Sequence, residues 1–149
     1  MDEFNRNLPG KRAKNVQFLD YPTYEERDDS KLFEEYERVI ALRKDVLKAL
    51  EEARNNKIIG SAQEALVVLD AKDKELVNLF TKEELATLFV CSEVEFGVNE
   101  DSKEYEVSKV AIRHHEGQKC SRCWNYSKLA LIQEDGDYLC PRCQKVIHK

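Results

Sequence analysis

Cys120-Ser121-Arg122-Cys123, sixteen residues, then Cys140-Pro141-Arg142-Cys143: the reading of this stretch decides how the end of the chain folds. Each pair of cysteines is separated by two residues, so a tight turn can aim both sulfurs at one point. Zinc takes four tetrahedral ligands, with sulfur at about 2.3 Å, and two such turns supply all four. Sixteen residues are enough for a short hairpin that returns the second pair to the first. Leu129-Ala130-Leu131-Ile132 predicts its first strand, Glu134-Asp135-Gly136-Asp137 its turn, and Tyr138-Leu139 the way back. A site of four thiolates is closed to substrate, so it folds its module and does not catalyse. A segment this short has too little surface to bury without the metal. One structural zinc on Cys120, Cys123, Cys140 and Cys143 is therefore expected. A thioredoxin-like pair is the alternative, and the second CxxC makes it unnecessary. His114, His115 and His148 lie close enough in sequence to compete as ligands. Cys91, within Phe89-Val90-Cys91, reads as a small buried hydrophobe.

Outward from the cysteines, the charge changes sign. Residues 109–149 carry 8 Lys/Arg and 4 Asp/Glu, a net of +4, whereas residues 30–108 carry 11 and 18, a net of −7. Basic Lys119, Arg122, Lys128, Arg142 and Lys145 interleave with Trp124 and two tyrosines around the knuckles. Such a mixture suits phosphate contact and stacking on unpaired bases. Ordinary surface solvation accounts for the charges equally well. Trp124 has a second reading, as the ribbon's minimal core. Arg122 and Arg142 have one too, as local compensation for the −2 charge of zinc with four thiolates.

The remaining chain predicts an α+β fold. Leu32, Tyr36, Val39/Ile40, Val46/Leu47, Leu50 and Ala53 follow helical spacing, with Arg43 the one polar member of the stripe. This predicts a long helix over 30–56, capped by Ser30 or Asp29 and broken near Gly60. Residues 64–69 predict a strand, and 73–89 one or two helices, with Leu76, Leu79/Phe80, Leu85 and Leu88/Phe89 inward. Thr81 followed by Glu84 forms a capping box. Val94, Phe96 and Val98 alternate, as do Tyr105 and Val107, which predicts two strands joined by Asn99–Ser102. The phase shift at Val110 and Ile112 predicts a bulge or a bent end. The expected architecture is a long helix on a small, roughly three-stranded sheet, followed by a zinc ribbon. Its divisions are an extended lead-in (1–29, where Val16, Phe18 and Tyr21-Pro22 are candidate anchors), an α+β body (30–113) and a four-cysteine module (114–149). No apolar run approaches the roughly 18 residues of a membrane span, and a cytoplasmic monomer is expected. No GxxxxGK[ST], GxGxxG or catalytic constellation is present.

Lys119-Cys120-Ser121-Arg122-Cys123-Trp124 with a second CxxC downstream resembles the C-terminal zinc finger of bacterial-type isoleucyl-tRNA synthetases. Val46–Arg54, Lys57-Ile58-Ile59-Gly60-Ser61 and Glu64-Ala65 are similar to the stretch joining that family's anticodon-binding helical domain to its tail. Asn15–Pro22 looks like the segment just before it. The resemblance runs from about residue 15 to 145. It implies tRNA, isoleucine-specific, and the remainder of a synthetase as partners, with ATP entering only through a catalytic domain. The HIGH and KMSKS motifs of that domain are not in this sequence, so the chain alone is not expected to aminoacylate. A structural clasp that touches no RNA, and a stand-alone adaptor that binds protein, are the competing readings. The finger also resembles that of formamidopyrimidine-DNA glycosylases, but its hairpin, Glu134–Tyr138, is acidic where that family uses an arginine.

Overall fold

The computed structural model describes residues 2–10, 15–21 and 23–147. Met1–Ser30 and Lys31–Lys149 form two compact units. In the first, a helix (α1, Asp2–Asn7) is followed by a single 3-10 turn at Val16–Phe18. The stretch Asp2–Asn7 of the lead-in is thus helical rather than extended. Phe18 and Tyr21 are exposed; Pro22 lies outside the described residues.

The long helix is α2, Ser30–Asn55. Its start is held by Asp28, whose Oδ1 accepts the Ser30 N–H at 3.1 Å. Its end is a left-handed cap. The Ile58 N–H reaches the Ala53 carbonyl at 2.9 Å, and the Lys57 N–H reaches Arg54 at 3.0 Å. The residue that turns the chain is Lys57, at φ 59°, and not Gly60, whose N–H is bound by Glu64 Oε2 at 2.7 Å. A non-glycine residue pays roughly 1 kcal/mol in this conformation. Lys57→Gly is expected to raise stability by about 0.5–1 kcal/mol, seen as a higher urea midpoint. A lower midpoint would contradict this account of the cap.

Val39, Leu42, Val46, Ala49, Leu50 and Ala53 form the buried face of α2. Its other predicted members, Leu32, Tyr36, Ile40 and Leu47, are exposed. The sheet has four strands, β1 (Ala65–Ala71), β2 (Glu93–Phe96), β3 (Lys103–Glu104) and β4 (Ser108–His114), in the order β2-β1-β4-β3. Strand β1 (Ala65–Ala71) is central and runs antiparallel to β4 (Ser108–His114), from Ala65 opposite His114 to Ala71 opposite Ser108. Between β1 and β2 (Glu93–Phe96) the chain passes through α3 (Lys74–Asn78) and α4 (Lys82–Phe89). The predicted capping box opens α4, with Thr81 and Glu84 bonded reciprocally. This crossover makes β2 parallel to β1, since parallel neighbours need a long connection. The predicted hairpin of Val94–Val98 with Tyr105–Val107 does not form. Lys103–Glu104 (β3) instead pairs with β4 across a tight turn at Glu106-Val107, closed by the Tyr105 N–H on the Ser108 carbonyl at 2.8 Å. That turn, and no bulge, causes the phase shift. Leu76, Val77, Leu85, Ala86 and Phe89 close the core between α2 and the sheet; Leu79 is exposed.

One buried carboxylate ties the helix to this turn. Asp45 is 6% exposed, and its Oδ2 accepts the Val107 N–H at 2.8 Å and the Ser108 hydroxyl at 2.9 Å. Among the described residues no helix is long and apolar enough to cross a membrane.

Candidate metal centre

After β4 the chain makes two short hairpins and a helix. Strands β5 (Gln118–Lys119) and β6 (Tyr126–Ser127) pair antiparallel and carry the first cysteine knuckle between them. Inside that knuckle the Cys120 N–H reaches the Asn125 carbonyl at 2.9 Å and the Trp124 N–H reaches the Cys120 carbonyl at 2.8 Å. Trp124 closes the turn at φ 67°. Strands β7 (Leu131–Ile132) and β8 (Tyr138–Leu139) form the predicted second hairpin. Its turn contains Gly136 at φ 90°. The chain then enters α5 (Pro141–Ile147), where Pro141, lacking an N–H, suits the first helical position. The Ser121 N–H binds the Tyr138 carbonyl at 2.9 Å and joins one knuckle to the other.

The sulfurs of Cys120, Cys123, Cys140 and Cys143 all lie within 4.8 Å of one another. Cys123 Sγ and Cys140 Sγ are 3.7 Å apart. A tetrahedron with 2.3 Å zinc–sulfur bonds has an edge of roughly 3.8 Å, so the donor set fits one zinc ion. The buried core of the module is these cysteines plus Leu139. Burial pushes the Cys120 thiol up, but the backbone N–H groups of Cys123, Cys140 and Arg122 outweigh it and bring that thiol down to about 6. Burial and the neighbouring Cys143 and Cys123 sulfurs push Cys140 to about 12. N–H groups aimed at sulfur are the arrangement that stabilises thiolate ligands.

Of the competing histidines, the two among the described residues do not join the cluster. His115, 2% exposed, is bonded through Nε2 to Glu93 Oε2 at 2.8 Å, while its Nδ1 accepts the Gly117 N–H at 2.9 Å. His114 packs on Tyr126, and His148 lies outside the described residues. Cys91 is buried, and burial raises its thiol to about 12.

The six predicted contact residues separate in space. Lys119 Nζ stands over the Trp124 ring, 5.7 Å from its centroid. Trp124 is 63% exposed, so it is not the ribbon's core. Lys128 and Lys145 are exposed. Arg122 lines an open groove of about 1030 Å³ whose rim includes Glu134, Asp135 and Asp137. Arg142 instead stands near the Cys123 sulfur, whose interaction with the guanidinium raises the arginine's pKa.

A seam that sequence reasoning did not single out joins module to body. Ser92 Oγ donates to the Gln63 carbonyl and accepts the Tyr126 N–H at 2.6 Å. The His115 N–H reaches the Glu64 carbonyl at 2.7 Å. Within the module, Gly117 is pressed onto the backbone of Ser127. One glycine in a polar stretch was the only signal of this contact.

Residues 117–146 match the zinc finger found in FPG and IleRS. Along nearly its whole length the chain is similar to proteins named isoleucine–tRNA ligase. It is 39% identical to that of Kosmotoga olearia over 99% of this chain and 17% of the relative. It is also 39% identical to that of Staphylococcus carnosus, over 94% of this chain and 16% of the relative. With Thermotoga maritima the identity is again 39%, over 99% and 16%. The chain thus spans about one sixth of the length of these relatives.

Proposed function

We propose that this chain, which shares isoleucine–tRNA ligase sequence along nearly its whole length, serves as the C-terminal tRNA-binding appendage of such an enzyme. In this reading residues 30–113 are a body that sets distance and angle. Residues 114–149 are a module folded by one zinc on its four cysteines, and it meets the anticodon stem-loop region of an isoleucine tRNA. ATP and isoleucine are handled by polypeptide beyond this chain, in a monomeric cytoplasmic synthetase. The observation that carries the reading is Trp124: a large aromatic side chain exposed beside the metal, with the Lys119 ammonium over its ring. Exposed aromatics with adjacent cations are how proteins hold unpaired bases and the phosphates between them. Lys119, Arg122, Trp124, Lys128 and Lys145 contact RNA. Arg142 belongs to the same set with part of its charge engaged by the Cys123 sulfur.

A salt titration of isoleucine-tRNA binding by the zinc-loaded chain tests this. The logarithm of affinity should fall linearly with the logarithm of salt. Arg122→Ala should weaken binding by about 1 kcal/mol and reduce that slope by roughly one, with zinc retained. Arg142→Ala should also loosen zinc. Absence of binding at every salt concentration would refute the appendage and leave the structural clasp.

A further inference from the structure

We propose that the RNA platform extends from the first knuckle to the end of β4: His114, Tyr126, Lys119 and Trp124 form one row that stacks a run of unpaired nucleobases. This rests on the reading that the module binds RNA, and adds to it two side chains and a class of ligand atoms, the faces of unpaired bases.

The row is linked by a ring pair, a strand register and a cation over a ring. His114 ends β4, and its ring lies 5.8 Å from that of Tyr126 at an interplanar angle of 81°. Tyr126 stands directly opposite Lys119 in the β5–β6 pair, and directly opposite residues of a pair project to the same face. Lys119 reaches over Trp124. The end members are the open ones: the His114 side chain is 53% exposed and Trp124 63%. The His115 ring also tilts against Tyr126, 6.3 Å between centroids, so the planes open to bases are those of the exposed end rings, His114 and Trp124. The Lys119 cation, held over the Trp124 ring, can meet a phosphate that links two stacked bases.

The joint beneath the row is fixed. His115, next to His114, is buried and bonded on both ring nitrogens, and the Tyr126 N–H is held by Ser92 Oγ. Body and finger therefore present the row as one surface. Glu64 Oε2 lies 3.9 Å from His114 Nε2. A carboxylate there opposes a phosphate, which is why His114 is assigned to a base and not to the backbone.

The test compares two probes on the intact zinc-loaded chain: a short oligouridylate, and an abasic oligomer of the same length with the same phosphates. The wild type should bind the oligouridylate at least five-fold more tightly, as base–aromatic stacking implies. His114→Ala should weaken oligouridylate binding about five-fold, leave the abasic oligomer unchanged, and leave the salt slope unchanged. His114→Phe should restore affinity, because the ring and not its nitrogen does the stacking. Tyr126→Leu, with zinc content checked, should act like His114→Ala. Equal loss on both probes, or no loss on either, would overturn the row while leaving finger–RNA binding intact. A wild type that binds neither probe nor tRNA would overturn both.

Discussion

Cys123→Ser is expected to release the zinc and unfold residues 117–147 while the body stays folded. Among the described residues after Gly117, Leu139 is the one buried apolar side chain outside the cysteines, and burying one leucine contributes about 2 kcal/mol. Zinc contributes on the order of 10 kcal/mol to modules of this kind. A serine hydroxyl is a poor ligand at neutral pH, so three thiolates cannot hold what four held. The core between α2 and the sheet contains none of the four ligands. In a nitrogen–proton correlation spectrum the finger amides should collapse toward random-coil positions, and those of β1 and α2 should remain dispersed. A variant that kept its finger dispersed would show that the fold does not depend on the metal. Collapse of the whole spectrum would show that the two parts are not independent.

The second large effect is expected at Gly117. A Cβ there would sit 2.3 Å from the Ser127 carbonyl carbon, 2.5 Å from its oxygen and 2.6 Å from the Lys128 nitrogen. All three are backbone atoms, so no side chain can swing away. Gly117→Ala must separate β5 from β6 or tilt the finger off the body, and the Gly117 bond to His115 Nδ1 goes with it. A backbone collision of this kind costs about 3 kcal/mol or more. The knuckles are closed by their own local bonds, so zinc should be retained. Limited proteolysis should cut the variant near residues 115–118, where the wild type resists. An unchanged melting temperature with an uncut chain would contradict this close packing of Gly117 on Ser127.

The features that were legible in the sequence are the local ones. CxxC spacing, the Thr81/Glu84 box and the helical stripe each follow from a few neighbouring residues, and each formed. Strand pairing is not local. Val94 and Phe96 read as a hairpin partner of Tyr105 and Val107 because consecutive strands usually pair. Their real partner, Leu66–Leu69, lies on the far side of two helices. The stripe of α2 was over-extended for a related reason. Periodicity shows which residues share a face, but not where the covering sheet ends, and here it reaches Val39 but not Leu32 or Tyr36. Asp45 and His115 carry no pattern, because their value comes from groups more than twenty residues away. At the site, the ligands were readable and the orientation of the arginines was not. Arg122 and Arg142 hold the same position in two CxRC motifs, yet one lines the groove from a turn and the other, in α5, stands near a sulfur.

Native mass spectrometry of the freshly purified, reduced chain tests the central claim most directly. The four clustered sulfurs predict a single species carrying one zinc ion, converted by a strong chelator to metal-free chain with an unfolded finger. A metal-free chain that is already folded through residue 147 would contradict it.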